Sequence, residues 1–198
     1  MRSLKFLVLI LGLALTVTAC GAPPQADLDA AKAAVDAAVA AGAGEYAAAS
    51  MKAVEDAQAA LDAELKAQEG NWLKSYTKAT ELAAAVKAAG EKASADAAAG
   101  KETAKNEATA ATDEAKTLLT EAQALLDKAP KGKGTQADIE AMKTDLAGIE
   151  ASVADMETAL NGGAYKDAKA KAEAAMAGLD KIKTDIEAAM AAKAAARR

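Results

Sequence analysis

The clearest pattern of hydrophobic and polar positions lies in the last third of the chain. Large apolar residues recur there at spacings of three and four, which places their side chains on one face of an α-helix. Two such series flank the turn Asn161-Gly162-Gly163, so the pattern predicts an antiparallel helical hairpin over residues 136–198. The first series is Ile139, Met142, Leu146, Ile149, Val153, Met156 and Leu160, and the second is Tyr165, Ala168, Ala172, Met176, Leu179, Ile182, Ile186 and Met190.

Residues 27–129 carry the same helical period on mostly small side chains, which predicts an Ala-rich bundle. The third of its helices has no clear end, so we expect one very long central helix, with a break between Ala98 and Lys101 as the alternative. The predicted helices are 28–41 with Asp27 as N-cap, 45–69, and 72–128. Their expected core faces are Leu28, Ala31, Val35 and Val39; Tyr46, Ala49, Ala53, Ala57, Ala60, Leu61 and Leu65; and Leu73, Tyr76, Ala79, Ala83 and Val86.

Composition supports this reading and limits the size of the core. Alanine supplies 61 of the 198 residues, aromatic residues make up only 3%, and prolines number three. Alanine favours helices and buries little apolar area per residue. The predicted fold class is therefore all-α, an elongated antiparallel helical bundle with coiled-coil-like hairpins.

Residues 1–19 have the three parts of a secretory signal peptide. Arg2 and Lys5 precede an apolar run over residues 6–15, and the small residue Ala19 stands directly before Cys20, the single cysteine. The run is shorter than the about 20 residues of a membrane-spanning helix. An uncleaved anchor, or an ordinary signal followed by a free cysteine, is the alternative.

The stretch Val17-Thr18-Ala19-Cys20 resembles the lipobox of bacterial lipoproteins. The resemblance implies cleavage between Ala19 and Cys20 and a covalent lipid on Cys20. Residues 20–26, with two prolines, would then be a lipidated tether. Gly21 in place of aspartate implies, in enteric bacteria, the periplasmic face of the outer membrane, with the inner membrane as the alternative location.

A turn of the form Gly-x-aromatic occurs three times, at Tyr46, Trp72 and Tyr165. Aromatic rings at helix starts commonly fill the end of a hairpin, so we interpret these three residues and Tyr76 as packing anchors of the helix turns. A ligand groove lined by the four rings is the alternative.

The first half of the chain resembles a family of short, Ala-rich lipoproteins of the bacterial envelope, which carry a lipobox and a helical-hairpin domain of unknown function. The resemblance covers residues 20–95 and implies an envelope location, but no activity. Some members are joined to a peptidoglycan-binding module. The residues that carry it are Ala41-Gly42-Ala43, Tyr46-Ala47, Met51, Ala57, Leu61, Gly70-Asn71-Trp72 and Ala79, with Ala48 where the family has proline.

The polar residues nominate no catalytic or metal site. Histidine, the commonest general base and metal ligand, is absent from the sequence, and no calcium or phosphate loop motif is found. We therefore expect no enzyme activity and no cofactor apart from the lipid on Cys20. The net charge of −5, or about −7 after removal of the leader, argues against nucleic acid as a partner.

Together these features predict a membrane-anchored lipoprotein with a structural, scaffolding or protein-binding role in the cell envelope. The expected partner is an envelope protein, met by the hairpin because it lies farthest along the chain from the lipid. A peptidoglycan tether and a small-ligand carrier are alternatives; the nearest lysine to the C-terminus is Lys193, which argues against covalent attachment through a terminal lysine. Self-association through the 139–160 seam competes with closure of that seam inside one chain.

Overall fold

The computed structural model describes residues 22–129 and 136–195. No strand occurs within these two ranges, and the all-α prediction is confirmed. The helices are α1 Gln25–Ala40, α2 Ala43–Tyr46, α3 Ala48–Glu69, α4 Thr77–Lys128, α5 Gln136–Asn161 and α6 Tyr165–Ala195. None of these six described helices is both long enough and apolar enough to cross a membrane.

The long central helix is confirmed, because α4 runs for 52 residues without a break between Ala98 and Lys101. It starts at Thr77 rather than at Trp72. The chain divides into two compact units between Ala99 and Gly100, inside this helix, and not near residue 130 as the domain prediction had it. The boundary differs because the second part of α4 packs in the core of α5 and α6. We call the described residues 22–99 unit 1 and those from 100 onward unit 2.

Unit 1 is a three-helix arrangement of α1, α3 and the first part of α4. Ser50 donates a hydrogen bond to Asp96, and Lys78 pairs with Glu64 at 3.1 Å. From Ser50 to Glu64 along α3, the partner residue on α4 moves back from Asp96 to Lys78, so α3 and α4 are antiparallel. The short connection through α2 reverses the chain between α1 and α3 as well, so α1 runs parallel to α4. The core consists mainly of small side chains. Its members are Ala31, Val35, Ala38, Ala43, Val54, Leu61, Ala79, Ala83, Val86, Ala93 and Ala97.

Gly90 allows α4 to approach α1 closely. A Cβ atom built at Gly90 would lie 2.8 Å from the carbonyl carbon of Ala34 and 2.9 Å from its oxygen. Both are backbone atoms, which side-chain rotation cannot move away. The helix-propensity cost of a glycine in the middle of α4 is thus offset by an interface that alanine would not fit.

The connection between α1 and α3 differs from the predicted single helix over 45–69. Gly42 adopts a left-handed conformation with φ of 81°, which ends α1, and the short α2 follows. Ala47 is not helical, with φ of −143° and ψ of 49°, and it separates α2 from α3. The ring of Tyr46 lies over Gly42, because its Cδ2 atom would be 3.3 Å from a Cβ atom built there. A side chain at position 42 would therefore be strained and would also meet the ring.

Some predicted helix details are wrong in unit 1. The first helix begins at Gln25 with Pro24 as N-cap residue, and Asp27 lies in the first turn, where a negative charge favours the helix dipole. Val39, placed in the core by the sequence pattern, is 59% exposed, and Ala38 is buried instead. On α3 the exposed residues include Ala49, Ala53 and Ala60, whereas Val54 is completely buried.

Unit 2 packs the second part of α4 against the hairpin of α5 and α6. Most of the large apolar residues of the predicted seams supply the core, as the 3–4 spacing indicates. Met190 is 38% exposed, and Leu160 is half-buried and belongs to neither core cluster. Completely buried side chains are larger here, with Met156, Leu179 and Ile186, than in unit 1, with Val54 and Val86. The two core clusters contain Ala122, Leu126, Ala129, Ile139, Leu146, Leu179, Ile182 and Ile186, and Ala115, Val153, Met156 and Ala172.

Thr112 is the buried polar residue of the described core. Its side chain is 1% exposed, and its hydroxyl oxygen has no hydrogen-bond partner. It occupies a core position of α4 between Ala108 and Ala115, both of which are completely buried. An unpaired hydroxyl in such a place costs free energy that a methyl group of the same shape would not.

Candidate functional site

The predicted lipidation and cleavage residues, Cys20 and Ala19, lie outside the residues that the structure describes, as does the rest of the leader. The described chain starts at Ala22 and enters α1 at Gln25. Lipidation therefore remains a prediction from the sequence. The fold begins five residues after the proposed point of attachment.

The three Gly-x-aromatic turns adopt three different conformations. Tyr46 ends α2, Trp72 lies in the loop between α3 and α4, and Tyr165 is the first residue of α6. The anchor role predicted for Trp72 is wrong, because its side chain is 96% exposed and packs no helix end. Tyr46 and Tyr165 are half-buried. Tyr76, also half-buried, packs against the core of unit 1.

Tyr165 lines a groove in unit 2, between α4 and the first turns of α6. The groove has a volume of about 350 Å³. The turn at Gly163, with φ of 80°, directs the chain back so that α6 starts beside α4. The other lining residues are Ala104, Glu107, Lys166, Lys169, Ala170 and Glu173. Lysines and glutamates thus surround Tyr165, and none of the other three aromatic residues of the alternative ligand groove lines this one.

Lys169 is the central charge of the groove. Its Nζ atom lies 2.9 Å from Glu107 on α4 and 3.9 Å from Glu173 on α6. The hydrogen bond to Glu107 and the charge of that carboxylate raise the pKa of Lys169 above its ordinary value. The lysine is therefore protonated at neutral pH, and it serves as a cation rather than as a base.

The same pair recurs two heptads further along the helices. Lys183 lies 2.6 Å from Glu121, and the two pairs, Lys169–Glu107 and Lys183–Glu121, have the same offset of 62 residues. A constant offset means that α4 and α6 are parallel. On the other side of α4, Gln123 donates a hydrogen bond to Glu150 at 2.5 Å, and Lys116 pairs with Glu157. The partner on α5 moves from residue 157 back to residue 150 as α4 advances from 116 to 123, so α5 is antiparallel to α4.

These repeated pairs were missed by the sequence reasoning, although a signal for them exists. Glu107 and Glu121 are fourteen residues apart, as are Lys169 and Lys183. Two glutamates on one helix and two lysines on another, each pair fourteen residues apart, indicate that the two helices are neighbours in register. The apolar seams were considered alone, so the direction and register of α4 against the hairpin were not predicted.

The charges of Lys169, Glu107 and Glu173 are paired with one another within the groove. Its carboxylates belong to ion pairs, and over residues 22–129 and 136–195 no three acidic or thiol side chains converge as metal ligands would. The volume is at the small end of ligand sites, which are mostly apolar.

Comparison of the chain with protein-family models, with curated proteins and with solved structures finds no match. The likeness to Ala-rich envelope lipoproteins therefore rests on the residues quoted from the sequence.

Proposed function

We propose that this chain is a lipid-anchored protein of the bacterial cell envelope, which holds helical binding units at the periplasmic face of the outer membrane. The observation that carries the proposal is the order of leader, Val17-Thr18-Ala19-Cys20 and fold. A lipid on Cys20 would be followed by only a few residues before α1 begins at Gln25. Two or more acyl chains suffice for stable anchoring, so no spanning helix is required.

Two substitutions separate anchoring from sorting. Cys20→Ser removes the acceptor atom and should abolish palmitate labelling and membrane fractionation. Gly21→Asp should leave the lipid in place but retain the protein in the inner membrane of an enteric host, as the lipobox resemblance implies. A Cys20→Ser protein that stays membrane-bound, with no labelling of the unaltered chain, would refute the anchor.

The scaffolding or protein-binding role is assigned to unit 2. Its core contains larger buried side chains than that of unit 1, and ion pairs on both sides of α4 connect α4 to α5 and α6. A rigid helical surface of this kind loses little conformational entropy when a partner binds. Unit 2 is also the part of the chain farthest in sequence from the lipid.

Site-specific photo-crosslinking in intact cells tests this assignment. A crosslinker at Ala154, exposed on α5 of unit 2, is compared with one at Ala63, exposed on α3 of unit 1. We expect a protein adduct of defined mass from Ala154 and a weaker one or none from Ala63. Adducts from Ala63 alone would move the binding role to unit 1, and a homodimer mass would identify self-association.

A small-ligand carrier is the second candidate, and the groove beside Tyr165 favours it. Native mass spectrometry of the gently purified protein should then show a bound molecule that is lost in Tyr165→Ala. Trp72→Ala is the matched control, because Trp72 is an exposed aromatic residue outside the groove. An unaltered protein that is ligand-free, or one that loses its ligand equally in both variants, would exclude the groove.

A further inference from the structure

The loop between α3 and α4, residues 70–76, presents two adjacent apolar side chains to solvent. Trp72 is 96% exposed and Leu73 is 83% exposed, well above the other exposed large apolar residues of the described chain, Val39 at 59% and Met190 at 38%. Single apolar side chains on a surface need no explanation, but a neighbouring tryptophan and leucine at a loop tip mark a contact surface.

The loop is held at its base by hydrogen bonds. The side-chain oxygen of Gln68 accepts bonds from Asn71 Nδ2 at 3.2 Å and from the backbone N–H of Ser75 at 3.1 Å. Gln68 in turn donates to Glu64 at 2.7 Å, and Glu64 pairs with Lys78 in the first turn of α4. The two ends of the loop are thereby fixed to one glutamine, with Trp72 and Leu73 between them.

The loop lies at the end of unit 1 where α1 begins. Helices α1 and α3 extend from the connection at residues 41–47 toward the same end of unit 1, and both contribute to its core with α4. Helix α3 has 22 residues against 16 in α1. The six additional residues carry the loop about 9 Å beyond the start of α1. Five residues connect Cys20 to Gln25 and span at most about 17 Å when extended. A lipid on Cys20 can therefore reach the level of the loop tip.

We propose that the 70–76 loop is a second membrane contact, in which Trp72 and Leu73 insert at the boundary of headgroups and acyl chains in the bilayer that anchors Cys20. The inference rests on the proposed lipid anchor. Tryptophan favours this boundary because its ring is apolar and its N–H group is polar. Lys74, directly after Leu73, is placed to extend its ammonium group toward lipid phosphate.

Charge is not the driving force at this end of the unit. The acidic residue Glu69 directly precedes the loop that carries Lys74, so the two charges offset each other and anionic lipid is not needed. Two apolar side chains alone bind a bilayer weakly, but the anchor makes their insertion an intramolecular step at high effective concentration. The consequence is that the anchored protein is held at two points, which restricts the tilt of unit 1 on the membrane.

The sequence contains a single tryptophan, so the fluorescence of Trp72 reports on this loop alone. The mature full chain is reconstituted in phosphatidylcholine vesicles with and without brominated acyl chains. We expect emission shifted to shorter wavelength and several-fold quenching by the brominated lipid. Leu73→Asp, which leaves the reporter in place, should reduce that quenching several-fold.

A matched control moves the reporter to the other end of unit 1. Trp72→Phe combined with Val39→Trp places the tryptophan at an exposed position near the end of α1. This variant should show water-like emission and no quenching in the same vesicles. Equal quenching in both proteins would mean that unit 1 lies flat on the bilayer, and it would overturn the proposed loop insertion.

The mass of the mature protein, measured on the same samples, distinguishes this inference from the anchor. A lipidated protein whose Trp72 is unquenched overturns the loop contact and leaves the anchor standing. An unlipidated protein whose Trp72 is quenched removes the anchor and leaves the loop contact. An unlipidated and unquenched protein overturns both. Shielding of Trp72 from aqueous acrylamide without quenching by the brominated lipid would identify a second copy of the chain as the occupant, against the proposal.

Discussion

Replacing Gly90 with alanine tests how closely α4 approaches α1. In an ordinary helix interior this change stabilises the protein by about 1 kcal/mol, because alanine loses less backbone entropy on folding. Here the new Cβ atom would be 2.8 Å from the carbonyl carbon of Ala34, about 0.6 Å short of the 3.4 Å at which ordinary contacts begin. The two helices must separate by this amount at the contact.

The cost of that separation exceeds the gain in helix propensity. A gap of 0.5–1 Å forfeits about a quarter to a half of the dispersion energy of each atom pair along the interface. Overpacking of a close-packed core costs about 1–3 kcal/mol. After subtraction of about 1 kcal/mol for helix propensity, we expect Gly90→Ala to lower the free energy of unfolding of unit 1 by up to about 2 kcal/mol.

Gly148→Ala is the matched control, because Gly148 lies inside α5 with no atom within 4 Å of its Cβ position. It should raise stability by about 1 kcal/mol. Urea unfolding followed by circular dichroism gives the overall change, and hydrogen exchange of peptides from α1 and from residues 77–99 assigns it to unit 1. If Gly90→Ala instead slows exchange in α1 and raises the urea midpoint as Gly148→Ala does, the close approach is wrong. Adding Ala34→Gly should not rescue Gly90→Ala, since the nearest atoms belong to the backbone.

Three further predictions concern the core and the acid limb of the stability curve. Thr112→Val should raise the free energy of unfolding by about 1 kcal/mol, because it removes a buried hydroxyl without a partner. Thr117→Val is the control, because the exposed hydroxyl of Thr117 donates to the backbone carbonyl of Asp113 at 2.9 Å. It should change the free energy of unfolding by less than about 0.5 kcal/mol in the same urea titration. Gly178→Ala should crowd the Cδ1 atom of Ile149, 2.9 Å from the new Cβ atom, so a double-mutant cycle should show that Ile149→Val costs less in the Gly178→Ala protein than in the unaltered one. The hydrogen bonds from Lys92 and Ser50 lower the pKa of Asp96 from its ordinary value of 3.8. The stability that this ionised carboxylate contributes is present above that value and is lost as the pH falls below about 4. Asp96→Asn should therefore reduce the loss of stability at acid pH, as measured by hydrogen exchange in α3 against pH.

The hairpin of α5 and α6 was predictable because its seams carry large side chains. Ile139, Leu146, Val153 and Met156 stand on one helical face among polar neighbours, and all four are buried as expected. A face marked by leucine, isoleucine or methionine can be identified, since burying any other face would expose them and cost about 25 cal/mol per Å² of apolar surface.

The Ala-rich helices did not allow the same choice. On α3, alanines at 3–4 spacing occur on more than one face. Of the face chosen from the sequence, Ala53 and Ala60 are exposed. Leu61 on the same predicted face is buried, and Ala57 and Leu65 pack against the core. Val54 was the more informative residue, because a valine gains more from burial than an alanine does. Periodicity of small residues indicates a helix but not its orientation.

The candidate groove was even less accessible to sequence reasoning. Tyr165 was singled out, but as a packing residue, and its charged neighbours Lys169 and Glu107 are 62 positions apart. Their proximity depends on the parallel packing of α4 and α6, which no local pattern specifies. Trp72 was also misjudged from its local pattern. The Gly-x-aromatic turn predicted a helix start there, but Trp72 lies exposed in a loop.

The small side chains at the centre of unit 1 also determine how its stability responds to temperature. Unfolding a core whose largest completely buried side chains are Val54 and Val86 hydrates little apolar surface per residue. The heat-capacity change of unfolding should therefore fall below the usual value of about 12–15 cal/mol/K per residue. A small heat-capacity change flattens the curve of free energy against temperature, whereas unit 2, with buried Met156, Leu179 and Ile186, should have the more strongly curved one. Unit 1 would then keep a nearly constant stability across a wide range of growth temperatures, while unit 2 would vary with them.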